Sequence, residues 1–470
     1  MSTVRAVSAA RAAARALLAA GPLPPHVERA ARLHLLDSLG VGVGAAIRGP
    51  VRALTGMADR LGGPGCGTVI GRRERVHPAA AALVNGMLIH SLEFDDTHAA
   101  SIVHGSSVLT GATLAAAEQD DRGWAQAVRA YALGWEFFIR LGLVGSVAIQ
   151  RRGFQVSSVL GPFAAAAAGA LLSGADEDGI VRALGIASSQ PAGNFAFLES
   201  AAHTKPMQPG WAAHSGLLAV ELARAGITAA EGSLDGPYGV FALYGDEAGD
   251  GAGSGAGAAA SLAGQLASLG EEWHLPEAAY KLLPCCHFLH SYVDAVAELR
   301  HRGIAADDVV SVVAEVPAEE CAIVADPWPE RQRPATAHAG RWSLPYVLGL
   351  AFVHGQVGLA DFDGAVDPRA VQFAGRCELS RWPGSGFPRR FPARLTAATA
   401  DGETHRVEVD DVRGGASRPV GESEVLAKFR ANAAFGLADP DAAKLEDLVL
   451  DADPTVGEIT ALLRDVRSRS

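Results

Sequence analysis

A chain of 470 residues is too long for one ordinary core and predicts two units, one of them large. Its formal charge of -12 at pH 7 and pI near 5.7 exclude the clustered cations of a nucleic-acid footprint or a polybasic membrane surface. Five cysteines (Cys66, Cys285, Cys286, Cys321, Cys377) form no CxxC, so neither a disulfide framework nor a structural zinc site is expected, and a reducing cytoplasm is the expected setting.

The opening "VSAARAAARALLAAG" reads as an amphipathic first helix, because Arg11 and Arg15 interrupt what would be the apolar run of a signal peptide; an organelle transit peptide has a similar composition. No uninterrupted apolar stretch is read as long enough to span a bilayer. "HPAAAALVNGMLIHSLEF" and "GSSVLTGATLAAAE" are both helical in pattern, and the loop between them gathers Glu93, Asp95, Asp96, His98 and His104. Such a loop is either a solvated turn or the wall of an active site. A helix starting near Ser106 directs its positive dipole end at His104 and favours the neutral imidazole, a base near pH 7.

"WAQAVRAYALGWEFFIRLGLVG" places Val128, Tyr131, Trp135, Phe138 and Ile139 near helical spacing, with Glu136 and Arg140 four apart on another face. "SSVLGPFAAAAAGALLSG" is a small-residue helix made for close contact. Asp176 then caps "EDGIVRALGIAS". "GDEAGDGAGSGAGAAAS", residues 245–261, reads as a flexible loop or hinge. Beyond it come a helix in "FLHSYVDAVAELRHRG" closed by Gly303, a β-branched strand "VVSVVAEVP", and two extended runs joined by the turn signal Asp401-Gly402. "GESEVLAKFRANAAF" and "PTVGEITALLRDVRS" return to helix. The expected architecture is mainly α: a helical domain from residues 1–264 and 411–470, with an α+β lid at 265–410.

Arginine is the default cation, and lysine occurs only at Lys205, Lys281, Lys428 and Lys444. A retained lysine suggests a need for a compact, flexible ammonium. Lys205 in "HTKPMQPGWAAHSG" and Lys281 in "YKLLPCCHFLHSYVDA" each lie near a proline that fixes the local backbone, as does Tyr346 in "RWSLPYVLGL". Two lysines, a histidine, a carboxylate and a tyrosine suit the binding of an acidic substrate and movement of a proton beside its carboxylate. A competing class is a metal-dependent hydrolase, since His287, His290 and Asp294 fall at i, i+3 and i+7 of a helix, although nothing resembles HExxH. A non-catalytic binding protein is a third. No GxSxG elbow is present and no GxGxxG follows a strand, so neither a serine nucleophile nor a nucleotide cofactor is expected.

Taken together, "HLLDSLGVGVGAA", "NGMLIHSLEFDDTH", "HGSSVLTGATLAAAE", "GFQVSSVLGPFAAAAAGAL", "TKPMQPGWAAHSG", "YKLLPCCHFLHSYVDA" and "RWSLPYVLGLAFVHG" resemble, in order and spacing, the cofactor-independent MmgE/PrpD lyases. That family includes 2-methylcitrate dehydratase, cis-aconitate decarboxylase and iminodisuccinate epimerase. The resemblance implies a helical domain with a smaller α+β lid, a homodimer, a small carboxylate as the partner, and no cofactor. It implies that His104 is the acid/base histidine, with Glu93 or Asp95 fixing its tautomer. Glu93 stands where many members have aspartate. It further implies that Lys205 and Lys281 contact the substrate carboxylate, that Gln155, Gln208 and His290 belong to the substrate-binding set, and that Tyr346 is the active-site tyrosine donating to a leaving hydroxyl. Gln155 and Gln208 replace histidines common in the family; they keep hydrogen bonding but transfer no proton, which hints at a substrate with fewer carboxylates than citrate. Dehydration of a β-hydroxy carboxylate is the expected reaction, with decarboxylation or epimerisation open through the same carbanion.

Overall fold

The computed structural model describes residues 7–199, 202–245, 255–387 and 389–468. The chain is mainly helical and builds two hydrophobic cores. The larger takes buried side chains from Ala9 to Ala278 and again from Val425 to Val466; the smaller runs from Cys285 to Val412. The chain therefore leaves the first core after Ala278 and comes back to it at the helix Glu422–Ala433. Leu266, Leu269, Leu275 and Ala278 all pack on the first side, beyond residue 264.

Part of the segment read as a flexible loop is ordered. Residues 246–254 lie outside the described residues, whereas Gly255–Ala267 is a helix with Ala258, Leu262 and Leu266 buried. Alanine's helix propensity and this four-residue spacing outweigh the glycines. The Glu136–Arg140 pair, on another face of its helix, is buried as well: Glu136 accepts the backbone N–H groups of His274 (2.7 Å) and Leu275 (2.6 Å), and Arg140 donates to the carbonyl of Glu272 (2.7 Å). Burial, only partly offset by those two N–H groups and Arg140, pushes the Glu136 carboxyl up to about 7.

Three helices, Pro25–Arg48, Trp124–Arg151 and Val156–Ser173, are long and apolar enough to cross a membrane, contrary to the sequence reading, and 78%, 78% and 89% of their most apolar windows are buried in protein. Their apolarity is spent on the core. Close approach between helices is set by glycine. A Cβ on Gly86 would lie 2.7 Å from the Ser107 carbonyl oxygen and 2.8 Å from the Gly210 Cα, so the absence of a side chain lets Pro78–Ser91 pack at once on Gly105–Gln119 and Thr204–Arg224. These three helices carry His90, His104 and Lys205.

The smaller core is covered by a four-stranded sheet in the order Cys377–Trp382, Val309–Pro317, Ala393–Thr399, Thr404–Val409. The first pair is parallel (Val312 opposite Cys377) and the others antiparallel (Ala314 opposite Leu395, Ala398 opposite Thr404). The last two strands form the expected hairpin, with Gly402 at φ 88° where only glycine turns freely. Alternation sends Val312, Ala314, Val316, Ala393, Leu395 and Ala397 inward. The helices His290–His301 and Leu344–His354 contribute buried faces to the same core.

Candidate active site

The loop after the helix Pro78–Ser91 is buried rather than solvated. Glu93, Asp95, Asp96, Thr97 and His98 are all less than 5% exposed. Polar groups of three other elements hold it. Asp96 accepts from Ser106 N–H (3.1 Å) and the Ser106 hydroxyl, and meets His34 Nδ1 at 2.7 Å. Lys428, on a C-terminal helix, donates to the Phe94 carbonyl and to Asp37, each at 2.8 Å. The crossing between the two cores is tied to the same loop, because Thr97 and Ala279 exchange both backbone hydrogen bonds (3.0 and 2.8 Å). That exchange brings Lys281 beside the carboxylates.

Glu93 pairs with Lys205 and lies 3.7 Å from Lys281, whose ammonium is also 3.7 Å from Asp95. Burial would raise the Glu93 carboxyl, but Lys205, Lys281 and His90 hold it down at about 2. Asp95 is likewise held well below the carboxylate range, burial being outweighed by His90 and Lys281. For Lys281 burial works to lower its proton affinity, and Asp95 and Glu93 reverse that into a rise. Glu93, Asp95 and Lys281 are thus all charged at neutral pH.

His104 sits at the N-terminal end of the helix Gly105–Gln119, as its sequence position predicts. Its backbone N–H donates to the Ser157 hydroxyl at 2.8 Å. Its Nδ1 is 3.2 Å from the Asp96 carbonyl, 3.1 Å from the Thr97 hydroxyl and 3.5 Å from Asp95. A carbonyl only accepts, so Nδ1 carries the hydrogen and Nε2 keeps its lone pair. Burial, and after it the Lys281 charge, holds the imidazole well below the ordinary histidine value, hence neutral.

His104 opens onto a cavity between the two cores. Its polar end is Glu93, Thr97, His104, Gln155, Lys205 and Lys281; most of the rest is apolar, with Ile102, Val156, Phe195, Phe197, Leu198, Phe288, Ile323, Trp342 and Phe391. Lys205 also lies 5.3 Å from the Trp342 ring centre, a cation–π contact.

The structure brings together Glu93, Asp95, His104, Gln155, Lys205 and Lys281, but not the other three candidates. Gln208 donates to the Asn194 carbonyl (2.8 Å) outside the cavity. His290 lies behind His287, their ring centres 4.8 Å apart, and it is His287 that reaches the cavity. Tyr346 is fully buried in the smaller core, its hydroxyl accepting the Asp367 N–H at 3.0 Å. Helical phase from the cap Ser343 turns it inward, where its ring would meet a Cβ on Gly340 at 2.6 Å. Tyr346→Phe is expected to leave kcat within about threefold and to cost about 1 kcal/mol of stability for the lost hydrogen bond; a large kcat loss in a folded variant would return the tyrosine to the chemistry.

The sequence reading missed His90. Its Nδ1 donates to Asp95 at 2.8 Å, and the Gln155 amide lies 3.5 Å from its Nε2. Its ring packs edge-on against His104 at 4.8 Å. The available signal was a histidine ending an apolar helix five residues before Asp95. His90, Asp95 and His104 have ligand atoms within 4.8 Å of one another, as a metal site needs, while the Lys281 ammonium lies 3.7 Å from the other Asp95 oxygen and already balances its charge. The proposed hydrolase triad is not assembled: the Asp294 carboxylate pairs with Arg418 at 2.9 Å.

The chain matches the MmgE/PrpD N-terminal domain over residues 15–250 and the MmgE/PrpD C-terminal domain over residues 283–453. It is 29% identical to the cis-aconitate decarboxylase-like protein oryM of Aspergillus oryzae, over 94% of each chain. It is 27% identical to a cis-aconitate decarboxylase of Aspergillus terreus (95% of this chain, 93% of the relative) and 26% to that of Homo sapiens (88% and 85%).

Proposed function

Because the chain belongs to the MmgE/PrpD family, whose enzymes act on small carboxylic acids, we propose that it is a lyase forming an enolate-type anion beside a carboxylate held by Lys205 and Lys281, and that the reaction is a decarboxylation. The observation that carries the common chemistry is the pair of lysines converging on one end of the cavity, with the His104 imidazole beside them. Ammonium groups fixed in place before reaction stabilise charge as it develops on the retained carboxylate.

In the decarboxylation, the bond from the substrate carbon to the departing carboxylate breaks, CO₂ leaves, and the electron pair remains as the enolate-type anion. His104 Nε2 then delivers a proton to carbon. Docking a carboxylate on Lys281 cancels the charge that, after burial, keeps His104 unprotonated, so substrate binding raises its proton affinity. Each CO₂ released consumes one proton from water. Two observations favour this outcome over dehydration: the relatives above are named for decarboxylation, and Tyr346, the expected acid for a leaving hydroxyl, faces away. The second reading, dehydration, is favoured by the neutral His104, since the same Nε2 serves as the base that takes an α-proton.

Chelator-treated enzyme in deuterated water, followed by proton NMR with unsaturated and β-hydroxy carboxylic acids, separates them. Decarboxylation gives CO₂ and one deuterium on the product carbon. Dehydration gives α-exchange without CO₂. Turnover that returns only with added metal would sink both.

A further inference from the structure

The cavity continues into a second, open-sided one through shared walls formed by Ile102, Gln150, Phe195, Leu198 and Ile323. Its far part adds Val147, Ala322 and Phe387, with Arg151 and Glu319 at the edge. From this continuity we infer that the substrate holds its retained carboxylate at the lysine end and carries an apolar chain that runs past Ile102 and Ile323 into the second cavity, so that the decarboxylated product is an alkyl monocarboxylate. The inference rests on the reading above that a carboxylate docks on Lys205 and Lys281.

Charge balance argues the same way. The two ammonium groups at the polar end already face two carboxylates, Glu93 and Asp95, so the site offers no surplus of positive charge for a tri-anion. The Glu93 carboxylate itself meets both lysines, one oxygen on Lys205 and the other 3.7 Å from Lys281. Gln155 hydrogen-bonds without adding a cation.

Backbone strain marks the junction. Three non-glycine residues have positive φ, among the described residues, and two of them line the cavity: Glu93 (φ 52°) and Ile102 (φ 54°). A β-branched residue in that region is an outlier that the surrounding structure must hold in place. At Ile102 it directs an isoleucine to the wall between the two cavities, a place where glycine would sit without strain. Such a position suits recognition of an apolar group.

Isothermal titration of the full-length enzyme with butanoate, hexanoate and octanoate, and with the unreactive tricarboxylate tricarballylate, tests it. Affinity should rise about three- to fourfold per methylene, and octanoate should bind more tightly than tricarballylate. Ile102→Gly, which relieves the backbone, and Ile323→Asn, at a half-exposed site, should flatten the chain-length dependence while leaving butanoate within about threefold. A flat dependence in the wild type, tighter tricarballylate, or no binding of any acid overturns the inference. Lys205→Met separates the two levels: loss of all binding fits both, whereas unchanged affinity with the chain-length dependence intact removes the lysine anchor and leaves the apolar subsite standing.

Discussion

Replacing Lys281 by methionine is expected to lower stability at pH 7.5 by about 3–5 kcal/mol, the cost of removing one partner from a buried ion cluster, and to reduce kcat/KM by at least about a thousandfold. Lys281 is fully buried and has no hydrogen-bond partner among the described residues, so its ammonium acts through charge on Glu93 and Asp95 and stands ready to donate to a ligand. Methionine fills the volume but leaves Asp95 with only His90 and His104 for company. The pH dependence identifies the cause. In the wild type, Glu93 and Asp95 have depressed pKa values, so their contribution is present above the unfolded carboxylate pKa of about 4 and is lost only as pH falls through the folded values. In the variant the Lys281 charge is lost while His90 still lowers Asp95, so the folded pKa values of Glu93 and Asp95 move upward from their wild-type positions and the stabilisation that their ionisation gives shrinks. The variant's deficit in stability relative to wild type must then diminish as pH falls from 7.5 to 4.5, because its carboxylates take up protons first. Urea midpoints of both proteins at the two pH values measure this; a variant as stable as wild type at pH 7.5, or a deficit that grows on acidification, would show that the cluster is not electrostatically coupled as described.

The same cluster shows what was legible in the sequence. Lysine rarity pointed to residues that the fold gathers: Lys205, Lys281 and Lys428 all converge on the loop that carries Glu93, while Lys444 is exposed. Composition sufficed because an arginine-rich chain keeps lysine where a point charge on a flexible stem is needed. Helical periodicity likewise located the long helices, and the Asp-Gly turn signal located the hairpin at Asp401-Gly402. It failed where phase mattered. His287, His290 and Asp294 share a face only on one continuous α-helix, but His287–Leu289 is a 3₁₀ turn preceding the helix His290–His301, and the change of pitch sends His287 to the cavity and Asp294 to Arg418. Tyr346 was misplaced for a similar reason, since proximity to Pro345 says nothing of which way the first turn points. The apolar walls Phe195 and Leu198 lie on a short 3₁₀ segment with no periodic signal, and they come to the site only through tertiary packing.

Substitution of His104 by glutamine is expected to lower kcat by about 10²–10⁴ with KM changed less than about threefold, the range for loss of a single positioned acid or base. The fold should survive: the backbone bonds of His104, its N–H to Ser157 and its carbonyl from the Ser107 hydroxyl (3.1 Å), do not involve the ring, and the ring is partly open to the cavity. The wild-type pH profile then assigns the direction of proton transfer. Free enzyme carries His104 neutral throughout the physiological range, because its pKa lies well below the ordinary value. If the imidazole must deliver a proton to carbon, as in decarboxylation, kcat/KM falls about tenfold per pH unit between pH 6 and 8, following the shrinking protonated fraction. If it must remove one, as in dehydration, kcat/KM is flat over that range and declines only at lower pH, where the imidazole at last takes up a proton. In either case the dependence disappears in the glutamine variant, since an amide does not titrate. Persistence of the wild-type slope at reduced rate would move the proton transfer to another group, with His287, the other imidazole lining the cavity among the described residues, the first to be replaced.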